Sequence, residues 1–238
     1  MSRPEAIELV KRATNMTVQT GLFAGMRMTP LQSWGGGEDI APQLLGTYEQ
    51  ELHPTLARLM ARGTRTVVNV GCAEGYYTVG LARCLPGAHV YAFDIDEKAR
   101  TACRANAREN GVSDRVTING LCEPEVLGEI AALDPDMLLV LDCETYELPL
   151  LTSPAGFAAV RRADLVIETH DWLDRSIVPQ LMAKFLHTHK LSFLHSEGRN
   201  PNAFAFLAQI SDLERWMMVC ENRPELQNWL VCESMNRL

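Results

Sequence analysis

Short apolar runs of strand length alternate along the chain with longer segments in which apolar residues recur every three or four positions. The short runs are rich in Val, Leu and Ile, whereas the longer segments have the spacing of amphipathic helices. Because this alternation is typical of βαβ units, it predicts an α/β fold with a mainly parallel sheet. The predicted strands are residues 66–70, 88–94, 115–119, 136–142, 163–168, 190–196 and 203–209.

The two ends of the chain depart from this alternation. Residues 1–63 have helical spacing without a strand, and Pro54 suits the first turn of a helix, so they are predicted to form a helical N-terminal cap. Residues 64–238 are predicted to form the main domain, which makes one structural unit with the cap. Residues 198–202 join the last two predicted strands without a helix, which predicts a terminal antiparallel hairpin. Residues 211–238 are predicted to be helical.

Composition and charge exclude several classes of protein. The chain has 238 residues, a formal net charge of −8 and seven cysteines. The acidic balance opposes a nucleic-acid partner, and an odd number of cysteines without a Cys-x-x-Cys pair indicates a reduced protein with neither a disulfide scaffold nor structural zinc. Charged residues interrupt the apolar positions near the N-terminus, and no apolar run approaches the roughly 18 residues of a membrane span. We therefore expect a soluble, cytoplasmic protein.

A glycine turn follows the first predicted strand, where residues 71–75 read Gly-Cys-Ala-Glu-Gly. The dinucleotide fingerprint Gly-x-Gly-x-x-Gly is not met, because Ala73 and Tyr76 stand at its second and third glycine positions. Gly-x-x-x-Gly after a Val-rich strand is instead similar to the glycine loop of S-adenosylmethionine (SAM) dependent methyltransferases, although a turn without a ligand is the alternative. The candidate cofactor-binding residues of this turn are Asn69, Gly71, Cys72, Ala73, Gly75 and Tyr76.

A second candidate part of the cofactor site lies at the end of the second predicted strand. Asp94 follows Gly75 by about 20 residues, the separation expected of an acid that binds ribose hydroxyls. The neighbouring Asp96 is better suited to capping the next helix. Ile95 is a further candidate for cofactor binding. Residues 119–122, with Gly120 and Leu121 among them, are candidates for flanking the adenine, and an ordinary turn is the alternative there.

Two further segments carry a family resemblance. Residues 142–147 read Asp-Cys-Glu-Thr-Tyr-Glu and resemble the Asp-x-Glu-Gly-x-Glu segment of FkbM-type methyltransferases. Residues 168–170, Glu-Thr-His, match the acid-x-His that this family tends to carry after its fifth strand. The resemblance covers about residues 45–210 and implies a Rossmann-like class I methyltransferase fold, SAM as methyl donor and O-methylation of a small molecule. Thr145 departs from the family's glycine, and Asn69 stands where many class I enzymes have an acid.

The polar residues after predicted strands four and five are the candidates for chemistry. Asp142, Glu168 and His170 are the candidate catalytic residues, with His170 accepting a proton because its usual pKa lies near neutrality. Asp142 is also a candidate for contact with the cofactor. Asp142, His170 and Asp171 are placed similarly to the divalent-ion ligands of catechol O-methyltransferase-like enzymes, although an ion is not expected. In a third interpretation these side chains only bond to neighbouring loops.

The function predicted from these features is SAM-dependent methyl transfer to a hydroxyl, with an amine the second choice, of a small molecule. The alternatives are a non-catalytic SAM- or partner-binding Rossmann-like module and a metal-dependent enzyme on the same fold. Tyr48, Glu49, Tyr76 and Tyr77 are candidates for lining the pocket, and burial in the core is the alternative for the tyrosines. The glycine run at 35–37 is either the hinge of a lid or a simple connection. A homodimer is left open.

Overall fold

A mixed sheet of seven strands forms the centre of the computed structural model, which describes residues 2–31, 39–221, 223 and 225–237. The strand order is β3-β2-β1-β4-β5-β7-β6; β1 to β5 are mutually parallel, and β7 is antiparallel to both of its neighbours. The prediction of a mainly parallel sheet with an antiparallel hairpin is confirmed. The strands are β1 Thr66–Val70, β2 His89–Phe93, β3 Val116–Asn119, β4 Leu138–Leu141, β5 Asp164–Glu168, β6 His189–His195 and β7 Asn228–Ser234.

Helices cover both faces of this sheet. Every residue of β1, β4 and β5 is buried, as expected for parallel strands between two helical layers. One core contains α4 and residues of the N-terminal segment, and the other contains residues of α6 to α9. The helices are α1 Arg3–Thr14, α2 Ile40–Leu45, α3 His53–Met60, α4 Tyr76–Cys84, α5 Glu97–Glu109, α6 Pro124–Leu133, α7 Glu147–Thr152, α8 Pro154–Val160, α9 Ile177–Phe185 and α10 Asp212–Val219.

The hairpin forms between different segments than predicted. Residues 203–209 are not a strand, because they lie mainly in short 3₁₀ segments, and the partner of β6 is β7, which pairs Ser234 with His189. The prediction that residues 211–238 are all helical is therefore wrong after α10. Strand β7 lies between β5 and β6, so its central residues are buried and show no alternation of apolar and polar positions. A strand without this alternation cannot be recognised from the periodicity of its sequence.

The N-terminal segment packs directly on the sheet. Its buried residues Ile40 and Leu44 belong to the same core as Val67 of β1. Helix α2 ends at Gly46, which has a φ of +78°, and a Cβ there would lie 2.0 Å from a backbone oxygen, so the chain turns before α3 begins. The predicted hinge at 35–37 lies outside the described residues. Among the described helices, none combines the length and apolarity that crossing a bilayer requires.

Candidate functional site

The glycine turn lies between the carboxyl ends of β2 and β4. The backbone N–H groups of Gly71 and Cys72 donate to the carbonyl of Phe93 at 2.9 and 3.0 Å. Gly71 has a φ of +79°, and a Cβ added to it would lie 1.6 Å from the backbone oxygen of Asp142. Gly75, with a φ of +92°, is the N-cap of α4. Glycine at both positions allows the turn to approach β4 closely and to aim the free N–H groups of α4 outward.

Two predicted cofactor residues of this turn have side chains directed into the protein. The amide of Asn69 donates to the carbonyl of Val140 at 3.2 Å and accepts from the hydroxyl of Thr78 at 2.8 Å. Asn69 is only 1% exposed, so its side chain joins β1, β4 and α4 instead of facing a ligand. The ring of Tyr76 is buried against Phe23. Only backbone atoms of these two residues can serve the site.

Asp94, directly after β2, is hydrogen-bonded to the glycine turn. Its carboxylate accepts from the backbone N–H groups of Ala73 and Asp96, both at 2.9 Å. Asp96 accepts from the N–H of Lys98 and caps α5, as predicted. Next to Asp94, the apolar side chain of Ile95 is 78% exposed, and Leu121 after β3 is 50% exposed. Exposed apolar side chains at adjacent strand ends form a surface suited to a flat heterocycle.

Three predicted catalytic residues come together at the ends of β4 and β5. Potential ligand atoms of Asp142, Glu168 and His170 all lie within 4.8 Å of one another. Nε2 of His170 is 3.4 Å from Asp142 and 3.9 Å from Glu168. The carboxylate of Asp142 remains partly exposed, whereas Glu168 is fully buried. The carboxyl ends of neighbouring parallel strands meet at one edge of the sheet, which is why these distant residues converge.

Asp171 does not join this cluster. Its carboxylate accepts from the hydroxyl of Thr169 at 2.9 Å and lies 3.3 Å from the side-chain amide of Asn228 in β7. The candidate metal ligands in the structure therefore differ from the predicted set, because they include Glu168 and not Asp171. Among the described residues, Asp142, Glu168 and His170 are the three groups that lie close enough to share an ion.

His170 is surrounded by carboxylates. Its Nδ1 is 2.7 Å from Oε1 of Glu147, which is itself fully buried. Burial lowers the pKa of His170, but hydrogen bonds to Asp142 and Glu147 outweigh it and raise that pKa to about 11. Partial burial raises the pKa of Asp142, but its interactions with His170 and Glu168 outweigh this and lower that pKa. In this arrangement His170 is an imidazolium at neutral pH and Asp142 a carboxylate.

A cap residue and a C-terminal arginine complete the cluster. Arg223 donates to Oε1 of Glu168 at 2.6 Å and also to Glu49, whose second oxygen accepts from the hydroxyl of Tyr77. A further N–H of Arg223 lies 3.2 Å from the hydroxyl of Tyr48. Tyr48, Glu49 and Tyr77 were predicted to line the pocket. Arg223 was not predicted, because nothing in the local sequence marks it.

Several residues around the cluster have left-handed backbone conformations that side chains disfavour. Positive φ values occur at Glu49 (+45°), Glu144 (+53°), Thr145 (+78°) and His170 (+40°). Each such residue stores on the order of 1–3 kcal/mol that the surrounding structure has to offset. This strain is concentrated beside Asp142 and Glu168, where it sets the direction of the side chains.

Replacing Thr145 by glycine is expected to raise the free energy of unfolding by about 0.5–1 kcal/mol. The left-handed backbone costs a β-branched residue more than glycine loses in unfolded-state entropy. Chemical denaturation measures the change. Ala105→Gly in α5 is the matched control, since glycine inside a helix is expected to lower stability by about 1 kcal/mol. A loss of stability in Thr145→Gly would contradict the assignment of strain.

Comparison with known proteins finds methyltransferases that match part of the chain. A family model described as Ribosomal protein L11 methyltransferase (PrmA) matches residues 53–134. The probable cobalt-precorrin-6B C(15)-methyltransferase (decarboxylating) of Pyrobaculum calidifontis is 39% identical over 80 residues, which are 33% of this chain and 41% of that protein. The release factor glutamine methyltransferase of Moorella thermoacetica is 34% identical over 91 residues, 38% of this chain and 31% of that protein.

Solved structures agree at the level of the fold. The METTL16 MTase domain superposes with a TM-score of 0.54 and 11% sequence identity, covering 97% of this chain and 78% of that domain. Together with the strand order and the glycine turn, these matches place the chain in the class I SAM-dependent methyltransferase superfamily. The chain spans less than half the length of the curated relatives it matches. The narrower FkbM-type assignment stays a prediction.

Proposed function

We propose that the protein is a SAM-dependent methyltransferase that methylates a hydroxyl of a small molecule, with an amine as the second choice. One observation carries the proposal. The Gly71 turn touches the backbone of Asp142, so the cofactor turn and the Asp142, Glu168 and His170 cluster adjoin each other at the end of β4. A methyl donor bound along the turn would therefore face the polar cluster.

The residues at the strand ends fit such a cofactor. The free N–H groups at the start of α4 suit the methionine carboxylate. Asp94 suits the ribose hydroxyls, because each of its carboxylate oxygens can accept a further hydrogen bond beyond the one from the backbone. Ile95 and Leu121 offer apolar surface for the adenine. When bound, SAM supplies an electrophilic methyl group, and the protein's own task is to align the acceptor and handle its proton.

Asp142 is the residue we assign to the acceptor's proton. It is ionised, partly exposed and hydrogen-bonded to His170. The sequence predicts His170 for this role, and the hydrogen bonds that raise the pKa of His170 to about 11 are the reason we assign it to Asp142 instead. His170 then orients Asp142 and balances its charge, while Glu147 fixes the imidazole from the other side.

The relatives leave the acceptor open. Their names state a corrinoid precursor, a release factor glutamine and a ribosomal protein as the molecules they methylate. These differ in the atom that receives the methyl group, so none is transferred to this chain. The hydroxyl of a small molecule rests on the FkbM-type resemblance of residues 142–147 and 168–170.

The test of this function has two stages. Calorimetry with SAM and with its demethylated product measures cofactor binding, and the absence of binding by either would contradict the proposal. Transfer of labelled methyl from SAM to a pool of metabolites then separates a catalyst from a non-catalytic SAM-binding module. A protein that binds SAM and transfers no label to any acceptor fraction would be that module.

Asp94→Ala is expected to weaken SAM binding at least tenfold. The substitution removes the carboxylate proposed for the ribose and also its hydrogen bond to the N–H of Ala73 in the turn. Calorimetric titration with SAM measures the loss. Asp96→Ala is the control, because Asp96 only caps α5 and its loss is expected to cost about 1 kcal/mol of stability with little change in SAM affinity. Unchanged SAM affinity in Asp94→Ala would contradict the ribose assignment.

Metal-dependent chemistry is the second candidate function. One observation favours it: two carboxylates and an imidazole lie within 4.8 Å of one another, a donor set that suits magnesium, manganese or ferrous iron. Such an ion would replace the proton on His170 and lower the pKa of an acceptor hydroxyl. Adding a chelator to the labelled transfer assay tests this function, since loss of transfer that is restored by one of these ions would support it.

A further inference from the structure

An arginine of the protein itself lies between two buried carboxylates of the site. The guanidinium of Arg223 bonds to Glu168 and Glu49 at the same time, and its central carbon is 5.7 Å from the centre of the Tyr48 ring. Glu168 belongs to β5, Glu49 to the N-terminal segment and Arg223 to the segment between α10 and β7. Two carboxylates and an aromatic face form a typical binding site for an organic cation.

This part of the site has more carboxyl groups than cationic groups. Among the described residues of the cluster, Arg223 and His170 are the cations, and they face five carboxyl groups: Glu49, Asp142, Glu144, Glu147 and Glu168. The Oε2 atom of Glu168 is buried and has no hydrogen-bond partner in the described part of the chain. Burial, together with the nearby Asp142, raises the pKa of Glu49 to about 8. A cation beside Glu49 favours its ionised form, so these two buried carboxyl groups are expected to bind one cation, either Arg223 or another that takes its place.

The position of the two carboxylates relates them to the chemistry. Glu168 lies beside Asp142 and His170, so a group bound where Arg223 now lies would be adjacent to the residue assigned to the acceptor's proton. The Arg223 side chain is partly exposed, whereas the side chains of Glu49 and Glu168 are almost fully buried. The cation is thus the component of this arrangement that solvent can reach, and the carboxylates form its fixed receptor.

We propose that Glu49 and Glu168 bind a cationic ammonium or guanidinium group of the methyl acceptor, and that Arg223 occupies this position when the acceptor is absent. The proposal rests on the proposed function, because it names the class of acceptor for the same site. The acceptor is then a small molecule with a hydroxyl at one end and a protonated nitrogen at the other. Its cation displaces Arg223, and its hydroxyl lies towards Asp142.

A binding experiment without SAM tests the receptor directly. The probe is 3-amino-1-propanol, which is an ammonium alcohol at neutral pH, and 1,3-propanediol is its neutral counterpart. Calorimetry at constant ionic strength is expected to show binding of the ammonium alcohol to Arg223→Ala at least about tenfold tighter than to the unchanged protein, because an intramolecular competitor has been removed. The diol is expected to bind to neither. Adding Glu168→Gln to Arg223→Ala is expected to abolish the gain.

Arg199→Ala is the matched control. Arg199 also lies between two carboxylates, Glu51 and Glu221, but its side chain is only 2% exposed, so its removal is expected to leave binding of the ammonium alcohol at the level of the unchanged protein. If circular dichroism shows that Arg223→Ala is unfolded, Arg223→Gln retains most of the side-chain volume and the same expectation. Equal binding of the ammonium alcohol and the diol, or no gain in either folded variant, overturns the proposal and makes Arg223 a structural ion pair.

Failure of this inference is distinguishable from failure of the proposed function. Binding is measured without SAM and without turnover, so a protein that transfers no methyl group can still show the cation receptor. Conversely, if labelled methyl enters neutral hydroxyl compounds as readily as their ammonium analogues, the protein is a methyltransferase and the cationic acceptor class is wrong.

Discussion

Gly71→Ala is expected to lower the free energy of unfolding by about 2–4 kcal/mol and to weaken SAM binding at least tenfold. A left-handed backbone costs an L-residue about 1–2 kcal/mol by itself. The added methyl would also lie 1.6 Å from the carbonyl oxygen of Asp142, and backbone cannot move aside as a side chain can. The strand end must therefore shift, and the shift displaces the N–H groups of α4 from the cofactor turn.

Chemical denaturation and calorimetry with SAM measure the two effects. Gly128→Ala is the matched control, because Gly128 lies inside α6 with no atom within 4 Å of an added Cβ. That substitution is expected to stabilise the protein by about 0.5–1 kcal/mol and to leave SAM affinity unchanged. If Gly71→Ala kept both its stability and its affinity for SAM, the close contact between the turn and β4 would not exist in solution.

The parallel strands were predictable because their burial follows directly from local composition. Strand β1, Thr66–Val70, coincides with the predicted range, since a run of Val is bounded on one side by Thr and on the other by Gly71. Strand β7, Asn228–Ser234, was missed, because its strand character depends on lying between β5 and β6. Nothing in the seven residues themselves distinguishes it from a buried helical turn.

The candidate site was predictable in the same way, at the ends of adjacent strands. Asp142, Glu168 and His170 lie at the carboxyl ends of β4 and β5. The carboxyl ends of neighbouring parallel strands lie side by side whatever course the following loops take. Arg223 approaches Glu168 from 55 residues away in sequence, and it lies between α10 and β7, where the described residues form no helix or strand. Its position depends on how the C-terminal segment packs against the cap, which is a tertiary property. The position of Asp171 outside the cluster also depends on packing, because its carboxylate lies beside the side-chain amide of Asn228 in β7.

Asp142→Asn is expected to reduce the rate of methyl transfer by about 10²–10⁴-fold while changing SAM affinity less than tenfold. The amide keeps the shape of the side chain but cannot accept the acceptor's proton, and loss of a proton-transfer group has an effect of this size. Glu144→Gln is the matched control. Glu144 is also near Nε2 of His170, at 3.7 Å, but it is half exposed and not assigned to the proton, so a change below about threefold is expected.

The same substitution has a second readout in His170. Its pKa of about 11 depends first on the hydrogen bond to Asp142 among the effects that raise it, so Asp142→Asn is expected to lower that pKa, as NMR titration of the imidazole would show. Because the folded-state pKa lies above the usual value, the stability that His170 contributes is complete below about pH 6.5 and is lost as the pH rises through about 11. In Asp142→Asn that loss is smaller and is complete at a lower pH, because only the folded-state pKa changes. If Asp142→Asn left both the His170 titration and the rate of methyl transfer unchanged, Asp142 would neither interact with His170 nor accept the acceptor's proton. If the titration shifted but the rate stayed the same, Asp142 would be a positioning residue only.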